Sequence, residues 1–339
     1  MQEHKFPYKW NLSDGYPAKG IKPNACKVFG TFICGGGSTM GYKLAGYDHL
    51  GGVEIDPKVA DVYRENHRPK HLYVEDIRLF NQRQDLQPEL YDLDLLDGSP
   101  PCSTFSMAGS REGAWGKKKV FREGQAKQTL DDLVFVYVDT IAKLKPKVCL
   151  LENVKGIIQG NAKYYSKQIV ARMQAAGYLV QVFLLNAASM GVPQKRERVF
   201  FIGLRNDIKL PELVLRFDEN AVTISEVNGA YENKKTFYTM FEGMAKDGSR
   251  PVYNCNKVVS RTITGTNTGV DIFDMVKNGA FIGAIEYTKA DLTQIGTYPL
   301  DYNFKSIEPK YLIGMSVPPV MTAQIGHQIW LQWLSKIKS

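Results

Sequence analysis

Histidine is scarce in this chain of 339 residues, which has five, and its five cysteines (Cys26, Cys34, Cys102, Cys149 and Cys255) are widely spaced with no Cys-x-x-Cys pair. An odd number at such spacing argues against a disulfide scaffold and a structural zinc site, and for a reducing compartment. No apolar run approaches the ~18 residues that a membrane span needs, and the opening MQEHKFPYKW lacks a signal-peptide core. A soluble, cytoplasmic protein without membrane or metal partners is expected. Internal repeats and low-complexity tracts are absent, and no Gly-Lys-Ser/Thr follows the glycine-rich stretch at 35–37, which excludes a loop that cradles a triphosphate. Acidic residues are in deficit: 43 Lys and Arg face 35 Asp and Glu, for a net charge of +8. That balance modestly favours a polyanionic partner.

What is present reads as an α/β chain. Apolar runs at 26–34, 50–55, 71–74, 91–96, 148–151, 179–185 and 199–204 predict strands, and helical spacing at 42–47, 58–66, 130–144 and 164–176 predicts the helices between them. This alternation predicts a doubly wound, mostly parallel sheet. From 210 to 283 the rhythm fails, with short apolar runs among Asn, Gly and Thr, and a smaller, mainly β domain is expected at 209–303. The catalytic domain then comprises 1–208 and is completed by 304–339, where a helical stretch at 320–337 packs back on the sheet. Residues 1–25 show no sustained period and predict an irregular arm, draped on the domain or partly mobile.

The stretch that organises the chain is Asp97-Gly98-Ser99-Pro100-Pro101-Cys102-Ser103-Thr104-Phe105-Ser106. It follows a strand and delivers a cysteine into a loop opened by two prolines, where open α/β sheets place their chemistry. Alone, Cys102 would read as a buried structural thiol. Its companions are Phe32 with Gly36 and Gly37 upstream, Glu152-Asn153-Val154 after another strand, Gln194-Lys195-Arg196-Glu197-Arg198, and Ile313-Gly314-Met315-Ser316-Val317-Pro318-Pro319. Together these motifs resemble the cytosine-C5 DNA methyltransferase family over nearly the whole chain.

The resemblance implies a class I, Rossmann-like methyltransferase fold with S-adenosylmethionine as cofactor and double-stranded DNA as partner. Cys102 is the implied nucleophile, Glu152 the group at cytosine N3, and Arg196 and Arg198 the substrate-orienting pair, able to reach the cytosine carbonyl, the catalytic carboxylate or a phosphate. The implied cofactor contacts are Phe32, Gly36, Gly37, Glu54 at the ribose, Ile55, Asp76 at the adenine amine, Ile77, Pro101, Leu133 and Ser316. Glu54 and Asp76 each also fit a helix cap or a solvated acid. The chain departs from the family pattern in three places. Cys34 stands where a glycine is usual, with Gly35 able to supply the lost freedom one position later, Ser103 replaces a glutamine, and Met315 replaces an asparagine. The segment 103–132, with Arg111, Trp115 and Lys117-Lys118-Lys119, suits either a lid over a phosphate backbone or a solvated tether.

In the small domain, Lys234, Lys235, Lys246, Arg250, Lys257 and Arg261 are candidate phosphate contacts. The stretch Ser260-Arg261-Thr262-Ile263-Thr264 resembles the segment that organises this region, and either Lys257 or Arg261 fills its basic role. A compact recognition region suits a short target, as in bacterial or phage enzymes, with a cognate restriction endonuclease acting separately. Two alternatives are a tRNA cytosine-C5 methyltransferase, disfavoured by the lack of a Cys-Phe-Thr tripeptide after the arginine motif, and a catalytically silent nucleic-acid-binding regulator of the same fold.

Overall fold

The computed structural model describes residues 4–101, 133–160, 162–237, 252–265, 272–273, 276–277, 280–281 and 284–337. Strands β1 (Lys27–Thr31), β2 (Asp48–Glu54), β3 (His71–Val74), β4 (Leu95–Gly98), β5 (Val148–Val154) and β6 (Tyr178–Asn186) precede a two-residue strand, β7 (Gln194–Lys195), and then β8 (Glu197–Arg205). All but β7 form one 7-stranded sheet in the order β3-β2-β1-β4-β5-β8-β6. Neighbours from β3 to β5 are parallel, and β8 runs antiparallel between β5 and β6. The chain lays β2 and β3 on one side of β1 and returns with β4 on the other. The order therefore reverses between β1 and β4, and the crevice at such a switch point is where open sheets bind ligands.

Helices α1 (Gly37–Leu44), α2 (Pro57–His67), α3 (Ile77–Gln82), α4 (Leu133–Leu144) and α5 (Ala162–Ala175) fill the crossovers. The start of α2 follows from its sequence: Pro57 brings a φ already suited to a helix, and Asp56 accepts from the Lys58 amide at 2.8 Å. Each face of the sheet carries its own core. One holds Phe29, Phe80, Tyr137, Ile141 and Ile169. The other holds Val28, Leu95, Val148, Phe200 and Ile202 under α1 and the last helices of the chain.

The small region begins with α6 (Ile224–Val227). It contains β9 (Lys235–Phe237), β10 (Val252–Asn254), β11 (Ser260–Arg261), β12 (Ile272–Phe273), β13 (Val276–Lys277), β14 (Ala280–Phe281) and β15 (Ala284–Ile285). Four of these make the antiparallel sheet β10-β9-β12-β15, and β13 pairs with β14. In contrast, β11 leaves this group to pair with β7. The chain then returns through α7 (Lys289–Ile295), α8 (Pro309–Met315) and α9 (Pro319–Ile329), and a π turn at Trp330–Leu334 interrupts the last helical stretch. There the Trp333 indole donates to the Pro211 carbonyl at 2.8 Å.

The structure revises three boundaries. Helix α1 starts at Gly37, ahead of the 42–47 stretch, because Met40 and Tyr42 bury against the sheet from within the glycine-rich segment. The expected strand at 91–96 is β4 at Leu95–Gly98, preceded by a 3-10 turn at Pro88–Tyr91, since Asp94 turns inward to accept from the Lys27 amide at 2.7 Å. The N-terminal arm is fixed to the domain from His4 onward. Phe6 and Trp10 are core residues, the Trp10 indole donates to the Thr297 carbonyl at 3.0 Å, and Asp301 accepts from the Leu12 and Ser13 amides. These anchors leave no periodic trace in sequence.

Among the described residues no helix is long and apolar enough to cross a membrane, and no group of three His, Cys, Asp or Glu is arranged to hold a metal ion.

Candidate active site

The carboxyl ends of β1, β2, β4 and β5 carry most of the residues singled out in the sequence. At the first, the chain turns through two left-handed residues, Phe32 at φ 56° and Cys34 at φ 47°, before Gly36 at φ 79°. Gly35 is not among the positive-φ glycines, so the freedom expected of it is taken instead by Cys34 and Gly36. Gly36 and Gly37 are required by packing as well as by any ligand. A Cβ on Gly36 would lie 2.2 Å from His67 Nε2, and one on Gly37 would lie 2.2 Å from the Val317 carbonyl oxygen. Burial raises the Cys34 thiol to about 12, with the Glu54 charge adding to the shift, so this cysteine is an inert one.

Glu54 ends β2 and binds that turn. Its two oxygens accept from the Cys34 amide and the Asp56 amide, both at 2.9 Å. A carboxylate has about four lone-pair sites, so acceptor capacity remains for a ligand hydroxyl. Burial raises the carboxyl to about 7 against the lowering effect of these amides. Ile55 follows, half-buried. Asp76 caps α3, accepting from the Arg78 amide at 2.8 Å, and its carboxylate also pairs with the Arg78 guanidinium at 3.1 Å. The capping alternative is thus realised, although the side chain stays about a quarter exposed, at 26 %. Ile77 and Leu133 are buried against each other with Phe32 packed on them.

Cys102 lies outside the described residues, as do Ser103 to Ser106, the 103–132 segment, Lys246 and Arg250. What leads to Cys102 is described. Asn153 donates its side-chain amide to the Pro100 carbonyl at 3.2 Å, which ties the loop after β4 to the end of β5, and Pro101 is half-buried there. Beside Asn153, Glu152 is buried, and Arg198 Nε meets its Oε1 at 3.0 Å. In the antiparallel register Arg198 faces Val154 and Phe200 faces Glu152, so the two charges are diagonal neighbours on one side of the sheet. Burial lowers the Arg198 guanidinium from its ordinary value while Glu152 opposes the shift. A second buried acid, Asp97, was not singled out in sequence. It accepts from the Tyr42 hydroxyl at 3.2 Å, and burial, followed by the Glu152 charge, raises it to about 7.

Arg196 departs from its expected role. Its guanidinium is 2 % exposed and donates to the carbonyls of Ile263 and Gly314, both at 2.9 Å, and to Gln194 Oε1 at 3.4 Å. Burial holds it well below the ordinary arginine value. The spacing does bring Gln194 and Arg196 together, but backbone acceptors take the Arg196 fork, and of the two arginines Arg198 is the one paired with Glu152. Ser316 accepts from the Tyr298 hydroxyl at 2.7 Å beneath the glycine turn, and Met315 is exposed against Gly265. Lys257 is exposed, whereas Arg261 is half-buried in β11.

The sequence profile of the family described as C-5 cytosine-specific DNA methylase matches residues 27–330. The type II methyltransferase M.NgoMIV of Neisseria gonorrhoeae is 35% identical over 333 residues, covering 88% of this chain and 95% of the relative. M.FnuDI of Fusobacterium nucleatum is 34% identical over 184 residues, which is 54% of this chain and 48% of that protein. The chain spans about half the length, or less, of several such curated relatives. Among solved structures, a Spodoptera frugiperda DNMT2 variant superposes with a TM-score of 0.62 at 17% identity, covering 90% of this chain and 100% of that one, a likeness of fold. With the profile spanning nearly all of the sheet and its carboxyl-end residues, this chain belongs to the C-5 cytosine-specific DNA methylase family.

Proposed function

We propose that the chain methylates C5 of a cytosine flipped out of double-stranded DNA at a short specific site, through a covalent cysteine adduct. The observation that carries this reading is the buried Glu152–Arg198 pair at the end of β5, with Asn153 fastening the loop that leads into Cys102. The type II naming of the relatives supports a place in restriction-modification, beside a separate endonuclease and in the cytoplasm.

The pocket fits S-adenosylmethionine by the chemistry of its lining. Glu54 offers lone pairs to ribose hydroxyls, and Phe32, Ile77 and Leu133 form an apolar slot suited to a flat purine. Ile55, Asp76, Pro101 and Ser316, with the glycine turn at Gly36 and Gly37, are the further contacts assigned to the cofactor in this reading. Bound there, S-adenosylmethionine supplies a methyl group on a positively charged sulfur. The Cys102 thiolate adds to C6, its electron pair forming the S–C6 bond, and Glu152 donates a proton or hydrogen bond at N3 as charge develops on the ring. C5 then becomes nucleophilic, and the methyl carbon would pass to it while the sulfur keeps the electron pair of the broken bond, leaving S-adenosylhomocysteine. Water takes the C5 proton, the C–H electron pair restores the C5–C6 double bond, the S–C6 bond breaks, and Cys102 leaves as thiolate while the N3 proton returns to Glu152. Arg198 holds the Glu152 carboxylate in register during these steps. Access to C6 requires the base to leave the stack.

The test is to incubate the protein and S-adenosylmethionine with 5-fluorocytosine-containing duplex DNA and, separately, with fluorinated tRNA. Fluorine cannot leave C5 as a cation, so a denaturant-stable protein–DNA adduct is expected, linked through Cys102. An adduct with tRNA alone would overturn the DNA assignment, and none with either, under conditions of demonstrated cofactor binding, would overturn the enzyme assignment.

Glu54 gives a second check. Glu54→Ala is expected to weaken binding of S-adenosylhomocysteine, the demethylated product, by roughly 1–3 kcal/mol, the scale for hydrogen bonds to a charged group. Because the free carboxyl sits at about 7 and its ionised form is the better acceptor, affinity in the unaltered protein should rise as pH climbs through 7 and level off above it. Calorimetric titration between pH 6 and 8 reads both effects. Unchanged affinity in the variant would remove Glu54 from the ribose site.

A further inference from the structure

Arg196 is among the largest fully enclosed side chains of the protein, and it joins three segments far apart in sequence. Its own strand region supplies Gln194, whose Oε1 accepts from Arg196 and also from the Ile263 amide at 3.0 Å. One nitrogen of its fork reaches the Ile263 carbonyl, in the strap that leads into the small β region. The other reaches the Gly314 carbonyl, in the turn that ends α8. The strap is held in place by two further contacts: Ser260 N donates to the Pro193 carbonyl at 3.2 Å, and the Thr262 hydroxyl donates to the Lys195 carbonyl at 2.6 Å. Strap and turn also touch directly, since a Cβ on Gly314 would lie 2.2 Å from the Gly265 nitrogen. From Gly314 the chain runs two residues to Ser316 and Val317, which pack on Gly37 of the proposed cofactor turn. Among the described residues, Arg196 Nε has no hydrogen-bond partner. Its binding groups are therefore the two fork nitrogens, one on the strap side and one on the cofactor side.

We infer that Arg196 is a positioning residue that couples occupancy of the cofactor turn to the order of the 260–265 strap, and so to the small β region that the strap leads into. Gly314 and Ile263 are held by one planar group, so a ligand that fixes Gly37 and the 316–317 backbone restrains the strap through the same guanidinium. By reciprocity, whatever fixes the strap favours cofactor binding. A lysine keeps the charge but places a single ammonium where the fork spans two carbonyls, so it cannot hold both ends in the same way. This inference rests on the proposed cofactor assignment but needs no DNA substrate.

The experiment is hydrogen exchange on the whole protein with and without S-adenosylhomocysteine. In the unaltered chain, ligand is expected to slow exchange both at 34–41 and at 260–265, the latter by at least about fivefold, the lower end of ordinary coupling between sites. In Arg196→Lys, protection at 34–41 should persist while protection at 260–265 disappears. Protection of 34–41 without protection of 260–265 in the unaltered chain would overturn the coupling whether or not the variant folds, and equal protection of both segments in Arg196→Lys would also overturn it. Absence of protection at both segments would overturn the cofactor assignment, and the coupling with it.

Discussion

Replacing Cys102 by serine is expected to abolish methyl transfer while leaving S-adenosylhomocysteine affinity within about twofold. The expectation rests on which groups surround the end of β5. Addition to C6 requires a thiolate, and a free thiol near pKa ~8.5 is mostly protonated at neutral pH. The Arg198 guanidinium pairs with the Glu152 carboxylate, the Arg196 guanidinium adds a second charge that interacts with both, and burial raises the other nearby acid, Asp97, to about 7. The local balance is therefore positive, which favours an anion on the neighbouring loop. A serine hydroxyl lies too far above neutrality for the same charge to ionise it. The proposed cofactor groups Glu54, Phe32, Ile77 and Leu133 lie on other segments and should be unaffected. Radiolabelled methyl transfer and calorimetry on one preparation decide the matter. Turnover near that of the parent protein would show that the nucleophile lies elsewhere.

The second large effect is expected at Glu152. Glu152→Gln keeps an oxygen to accept from Arg198 and nearly the same volume, so the fold and that hydrogen bond should survive, though not the ion pair. What it loses is the acid that donates at N3, and methyl transfer should fall by about 10²–10⁴-fold, the usual contribution of a positioned proton donor. Adduct formation with 5-fluorocytosine DNA should slow in parallel, because the loss precedes methyl transfer. Single-turnover rates for both reactions provide the check. If transfer slows while adduct formation does not, Glu152 acts after the thiol addition, and its assignment at N3 fails.

Sequence disclosed the sheet well and the small region poorly, for physical reasons. Strands buried on both faces, such as β5 with VCLLENV, must be nearly continuous in apolar residues, so they stand out between turns. The acids and glycines at the strand ends could be singled out because their motifs resemble those of the family, and they lie where open sheets place their ligand sites. The Arg196 contacts were not legible because spacing reports which side a residue takes, whereas its partners, the Ile263 and Gly314 carbonyls, are backbone atoms that any residue could supply. The irregular arm was legible as such, but not its anchors at 4–25, because Asp301 receives the Leu12 and Ser13 amides through contacts that have no period. Asp97 escaped notice inside the motif that contains it, because its burial depends on Tyr42, a residue of another element.

The position of α9 bears on how the protein is made. Every strand of the central sheet has been synthesised by residue 205, yet one of its faces is covered by α9, at Pro319–Ile329, through Val320, Met321 and Ile325. At ordinary elongation rates the intervening chain takes on the order of ten seconds to emerge, and for that interval Val28, Leu95, Val148 and Phe200 lack their cover. Gly37 likewise waits for Val317, and Trp10 for Thr297. The nascent chain therefore completes this core, and the packing on Gly37, only after residue 329 has left the ribosome.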